Sequence, residues 1–149
     1  MKIMVINGPN INMIGIREKE IYGQKAFNDI ISELKQYIWK KNWQVECFQS
    51  NHEGDLVDWI QQAYFDHYDG IIINPGAYTH TSVAILDAAK AIAPIPIVEV
   101  HLSDIHSREA FRNISYISQA CIAQVYGLGW QGYLKAVDVL AEYLEPHVL

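Results

Sequence analysis

Cysteine, positive charge and long apolar runs are all scarce in this 149-residue chain. Only two cysteines occur, Cys47 and Cys121, with no CxxC pair and no Cys/His ladder. That excludes a disulfide framework and a structural zinc motif, and points to buried reduced thiols, both expected inside strands. Lysine plus arginine number 11 against 17 aspartates and glutamates, a formal net charge of -6. Generic binding to nucleic acid or an acidic membrane is therefore disfavoured, and an anionic ligand would need a local basic pocket. No apolar run approaches the ~20 residues of a membrane span. Met1-Lys2 leads straight into Ile3 to Ile6, too short for a signal-peptide core, so the protein is expected to be cytoplasmic.

Several catalytic signatures are also missing. There is no GxGxxG or GxxxxGKS/T, hence no dinucleotide or P-loop fingerprint, and no GxSxG nucleophile elbow. His52, His80, His101 and His106 show no HExxH or comparable ligand spacing, so no metal is expected. Lys25, Lys35, Lys40, Lys41, Lys90 and Lys135 all fall on expected helices, which leaves Lys19 as the one loop lysine placed for imine chemistry. Metal-free acid/base chemistry without a cofactor fits this residue supply better.

What is present is an alternation of short apolar runs with stretches of helical period, the pattern of repeated strand-helix units. Strands are expected near residues 3–7, 44–48, 70–74, 96–100 and 120–126. Helices are expected over residues 26–41, 55–68, 82–91 and 130–144, with a shorter one after Ser107. The helix at 130–144 would pack through Leu134, Val137, Val139, Leu140 and Leu144. Five parallel strands imply an α/β, flavodoxin-like doubly wound sheet of order 2-1-3-4-5. One domain over residues 1–149 accounts for a chain of this length, which has no linker or repeat.

The strand ends carry the functional signal. Four finish in polar clusters, Asn7-Gly8-Pro9-Asn10, Gln49-Ser50-Asn51-His52, Asn74 to His80, and Glu99-Val100-His101-Leu102-Ser103. In an open parallel sheet these ends share one edge, where ligands bind, and a buried core does not require them to be polar. Residues 10–23 form a long loop able to act as a lid. Within it, Arg17 lies five residues before Tyr22. An arginine beside a tyrosine favours the phenolate, a form able to act as a general base. The same spacing is met if Tyr22 packs under the loop while Arg17 pairs with Glu20.

Glu99 and His101 share a strand face because side chains alternate. A carboxylate beside an imidazole favours the imidazolium, so His101 is a candidate general acid; a hydrogen-bonded structural histidine is the alternative. Asn74 and His80 are candidates to bind polar oxygens, while Thr79, Thr81 and Ser82 fit helix caps. Leu102-Ser103 offers a cradle of backbone N–H and hydroxyl for a carboxylate. Arg112, with Arg108 second to it, supplies positive charge, a solvated helix face being the alternative for both.

Taken together, Asn7 to Asn12, Arg17 to Gly23, Phe48 to Gly54, Asn74 to Ser82 and Glu99 to Ser103 resemble the motifs of type II 3-dehydroquinate dehydratases, in order and across almost the whole chain. The resemblance implies a flavodoxin-like enzyme that dehydrates 3-dehydroquinate through an enolate by anti elimination, in the shikimate pathway or quinate breakdown, with no metal, cofactor or imine. It implies Tyr22 as base, Arg17 as the group that holds the phenolate, and His101 as acid oriented by Glu99. Asn10 would position a water at the enolate oxygen. Asn74, His80, Leu102, Ser103 and Arg112 would bind substrate, and Asp87 would reach a neighbouring subunit's site in a dodecamer of four trimers.

Lys19 stands where the family commonly has proline, Asp104 where it has asparagine, and Asn113-Ile114 where it has paired histidines. Asp104 places negative charge beside a carboxylate-binding segment and is expected to weaken substrate binding. Other readings are an inactive binding module on the same fold, a lyase or isomerase for a related cyclic hydroxy acid, and a structural oligomer component.

Overall fold

The computed structural model describes residues 1–146; residues 147–149, the end of the expected domain, lie outside the described residues. Five strands form one sheet: β1 (Lys2–Asn7), β2 (Gln44–Gln49), β3 (Gly70–Asn74), β4 (Ile97–His101) and β5 (Ala123–Tyr126). Their order is β2-β1-β3-β4-β5 and every pairing is parallel, as expected from the sequence. β3 and β4 are buried at every position. Such strands read as continuous apolar runs because both faces of a parallel sheet are covered by helices.

The helices are α1 (Lys19–Tyr22), α2 (Phe27–Trp39), α3 (Glu53–Phe65), α4 (Val83–Ala91) and α5 (Gln131–Leu144). Strand alternation sends Ile3, Val5, Ile72, Val98 and Val100 to one face, where Ile30, Leu34 and Ile38 of α2 and Tyr133, Val137 and Leu140 of α5 cover them. Met4, Ile6, Ile71, Ile73 and Ile97 meet Leu56 and Ile60 of α3 and Ile85, Ala88 and Ala89 of α4 on the other. Each of α2 to α5 thus presents one apolar stripe at i, i+3, i+4 spacing to the sheet.

The sequence misplaces some details. In α5 the buried stripe is Tyr133, Ala136, Val137 and Leu140, while Leu134, Val139 and Leu144 sit at its margin. Tyr133 is wholly buried because its hydroxyl finds partners in the interior. β5 begins at Ala123 rather than 120, since residues Ile117–Ala120 coil into a 3-10 turn and Cys121 lies in the link beyond it. Cys121 is therefore outside a strand, whereas Cys47 is within β2; both are free and half-buried, and burial pushes the Cys47 thiol up to about 11. The helix expected after Ser107 is a single 3-10 turn, Ala110–Arg112, preceded by another at Ile105–Ser107.

Two glycines set the geometry where β1 and β3 hand over to their loops. The Gly8 N–H bonds the Asn74 carbonyl at 2.8 Å. A Cβ on Gly8 would strike the Pro75 carbonyl, and one on Gly76, whose φ is +60°, would lie 2.8 Å from the Pro9 oxygen. Only residues without side chains let these turns interlock.

Candidate active site at the carboxyl ends of the strands

A cavity of about 140 Å³ opens over that interlock, at the carboxyl edge of β1, β3 and β4. This is the switch point of the sheet, where chain connections leave to opposite sides and make a crevice. Asn10, Arg17, Tyr22, Asn74, His80, His101, Leu102, Ser103 and Arg112 all line it. Of the residues expected from the sequence, Glu99 lies buried behind His101 and Asp87 sits on the exposed face of α4. Among the described residues, three arginines and no carboxylate line the cavity, so a chain of net charge -6 holds a locally positive pocket.

The lid folds back to bring Tyr22 to the cavity. Residues Ile11–Met13 make a 3-10 turn with Ile11 and Ile14 buried, and α1 places Tyr22 in its last position. The Tyr22 Oη accepts from Arg17 Nη2 at 2.9 Å and from Arg108 Nη1 at 2.8 Å. Two guanidinium donors on one phenol oxygen stabilise negative charge there. Arg17 also pairs with Glu18 at 2.9 Å rather than with Glu20.

Across the cavity, His101 Nε2 meets Glu99 Oε1 at 2.8 Å. Glu99 is wholly buried, and its Oε1 also accepts from Ser115 Oγ at 2.6 Å and from the Thr79 hydroxyl, while Oε2 accepts from Gln124 Nε2 at 2.9 Å. Burial alone would push this carboxyl up, but hydrogen bonding and charge from His101, with the Ser115 and Thr79 hydroxyls, hold it below its ordinary value. The ion so held fixes the orientation of the His101 ring at the cavity wall.

The remaining cavity groups are fixed by second partners. Asn74 Oδ1 accepts the Gly76 N–H at 3.2 Å and its Nδ2 donates to Tyr133 Oη at 3.1 Å; the tyrosine hydroxyl in turn donates to Asn7 Oδ1. Asn10 takes a left-handed conformation at φ 67°, which asparagine tolerates, and its N–H bonds Asn51 Oδ1 at 3.1 Å. His80 Nδ1 donates to the Ile114 carbonyl at 2.7 Å, and its ring stacks 6.5 Å from that of His101. Partial burial, with the His101 and Arg112 charges, keeps His80 below the ordinary imidazole range and so favours its neutral form, which leaves Nε2 as an acceptor. Arg112 Nε is tied to Glu109 at 2.5 Å. Gly129 and Gly127 N–H groups hold the Leu102 and Ser103 carbonyls at 2.9 and 3.1 Å.

Sequence reasoning ranks Arg108 below Arg112, yet Arg108 reaches Tyr22 across 86 positions of chain. Of the three residues read as caps, Ser82 does cap α4 by accepting the Ile85 N–H at 2.9 Å, whereas Thr79 turns to Glu99. Ser115, Gln124 and Tyr133 carry no local signal; the register of β4 and β5 is what sets Gln124 beside Glu99.

This architecture recurs in known proteins. The family model described as Dehydroquinase class II matches residues 1–141. The chain is 56% identical over 145 residues to a 3-dehydroquinate dehydratase of Clostridium perfringens strain 13, covering 97% of this chain and 99% of the relative. It is 57% identical to one from Fusobacterium nucleatum, over 96% and 98% of the two chains. Among solved structures, a type II dehydroquinase from Butyrivibrio crossotus superposes with a TM-score of 0.93 at 51% identity, covering 94% of this chain and 97% of that one. With sequence, strand order and fold in agreement over nearly its whole length, the chain belongs to the class II dehydroquinase family.

Proposed function

We propose that this chain removes water from 3-dehydroquinate to give 3-dehydroshikimate. The observation that carries this reading is the opposition, in one cavity, of a tyrosine hydroxyl held by two arginines and a histidine held by a buried carboxylate. As phenolate, Tyr22 takes the proton next to the ketone, and the electron pair left behind forms the enolate. Asn10 holds a water at the enolate oxygen. His101 then gives its proton to the hydroxyl that departs from the opposite face as water. Arg17 stabilises the phenolate and the transition state, and Glu99 orients His101. Asn74, His80, the Leu102 backbone, Ser103 and Arg112 bind the substrate hydroxyls and carboxylate.

No step needs a metal or an organic cofactor. No lysine lines the cavity, which agrees with an elimination through an enolate rather than an imine. The reaction serves the shikimate pathway to aromatic amino acids or quinate breakdown. The chain works as one domain in the cytoplasm, assembled as a dodecamer of four trimers in which Asp87 reaches a neighbouring subunit's site. Supporting that assembly, Val83, Phe111 and Ile114 are each more than half exposed on the segments that carry His80, Asp87 and Arg112. Apolar residues grouped this way are suited to a contact between copies.

The test is to add the purified protein to 3-dehydroquinate and follow the conjugated enone by ultraviolet absorbance, with and without borohydride and a chelator. Turnover that resists both is expected. Folded protein without turnover would overturn the activity, and a sedimentation mass well below twelve chains would overturn the assembly.

A further inference from the structure

We propose that Gln124 is a positioning residue for the proton donor, acting through the second oxygen of the Glu99 carboxylate; this rests on the dehydratase reading above. Three donors converge on Oε1, from His101, Ser115 and Thr79. Gln124 is the one donor to Oε2 among the described residues, at 2.9 Å. The terminal torsion of a glutamate is broad, so donors on one oxygen do not by themselves fix the carboxylate plane. A donor on the other oxygen does. β4 and β5 are registered so that Glu99 and Gln124 are direct partners, side by side on one sheet face. Gln124 therefore aims the carboxylate along the sheet, and the carboxylate aims His101 into the cavity.

Glu99 is wholly buried, and among the described residues no lysine or arginine pairs with it; its ion-pair partner is the His101 ring. A buried carboxylate oxygen that loses its donor binds a proton more readily and turns towards whatever donors remain. Either response releases His101 from its fixed orientation. The titratable and charged groups around Glu99 are His101 on its own strand, His80 from the 3-10 turn after β3, Arg112 behind His80, and Cys121 from the link into β5. Of these only His101 bonds the carboxylate, so the loss of Gln124 is not made good by a neighbour.

The experiment compares Gln124→Met with Gln124→Ser in the intact protein, measuring kcat and KM across pH together with thermal unfolding. Met fills the same space without a hydrogen-bond donor; Ser leaves room for a water that can donate to Oε2. We expect kcat to fall about ten- to a hundredfold in Gln124→Met, the loss of one donor to a buried charge, with KM little changed. Its acidic limb should also lie at higher pH, because Glu99 is protonated more easily. Gln124→Ser should keep more activity than Gln124→Met although it packs less well. The reverse order, with Gln124→Met active and unshifted in pH and Gln124→Ser merely less stable, would make Gln124 a packing residue and overturn the proposal. Should Gln124→Met not fold, Gln124→Leu, which also lacks a donor, takes its place: wild-type kcat and an unshifted acidic limb in protein of unchanged oligomeric mass would overturn the proposal. The wild-type protein in the same assay separates the two readings, since its inactivity would remove the dehydratase assignment itself.

Discussion

Replacing Tyr133 by Phe removes one oxygen atom from the centre of the protein and should be felt in both stability and substrate binding. The ring is fully buried and keeps its volume in the variant, so no cavity term enters. What changes is polar. Asn7 Oδ1, wholly buried, loses the hydroxyl that donates to it, and Asn74 Nδ2 loses the acceptor that orients it. A buried polar group left without its partner costs ~1–3 kcal/mol; two are affected here, and because Asn74 lines the cavity, where water can replace its lost partner, a loss of about 2–4 kcal/mol is expected. For a chain of this size each kcal/mol moves Tm by ~2–4 °C, which gives a fall of roughly 5–15 °C. The measurement is thermal unfolding at fixed protein concentration, since assembly also contributes to Tm. The same hydroxyl orients Asn74 within the cavity, so KM should rise more than kcat falls. A variant with unchanged Tm and unchanged KM would show that the Asn7-Tyr133-Asn74 chain neither stabilises the fold nor orients the Asn74 amide for binding.

Tyr22→Phe should lower kcat by orders of magnitude with substrate affinity largely kept, because the phenol oxygen matters mainly in the transition state; normal turnover would end its assignment as base. On acidification, folding stability should decline. Glu99 binds its proton less readily folded than unfolded, and so does His80, so the unfolded chain takes up more protons as pH falls. The His80 part is lost from about 6.5 downward and the Glu99 part below the ordinary carboxylate value of 4.5. A Tm that is flat or rising from pH 7 to pH 4 would contradict this sign. Asp104→Asn should lower KM: Asp104 Oδ1 accepts the His106 N–H at 2.9 Å, a role asparagine can keep, while the negative charge beside Ser103 and Arg108 disappears. Equal constants would remove Asp104 as a binding determinant.

The parts of this fold that were legible in the chain are those written in local period. The isoleucine runs of β1, β3 and β4 and the polar residues after them announced a covered parallel sheet with its site at one edge. Glu99 and His101 were readable as partners because two residues along a strand is a contact. Contacts set by register or by helix-on-sheet packing were not readable. Gln124 meets Glu99 only because β5 pairs with β4 in one alignment, and the hydroxyl of Tyr133 disguises a core position. Arg108 lay hidden for another reason: it sits just past a short 3-10 turn, where no periodicity marks which side faces the cavity.

The interlocked turns at Gly8 and Gly76 divide the cavity rim into two classes of sequence freedom. Any side chain at either glycine must displace backbone of the opposing turn, so variation there would move Asn10 and Asn74 together and spoil the frame before it altered specificity. The stretch between Gly15 and Gly23 carries Ile16, exposed over 69% of its surface, and Ile21, over 41%. A library aimed at new substrates should therefore be spent on residues 16, 18, 19, 20 and 21, which flank the cavity-lining Arg17 and Tyr22 in sequence while leaving the frame untouched, and both glycines should be held constant from the first round.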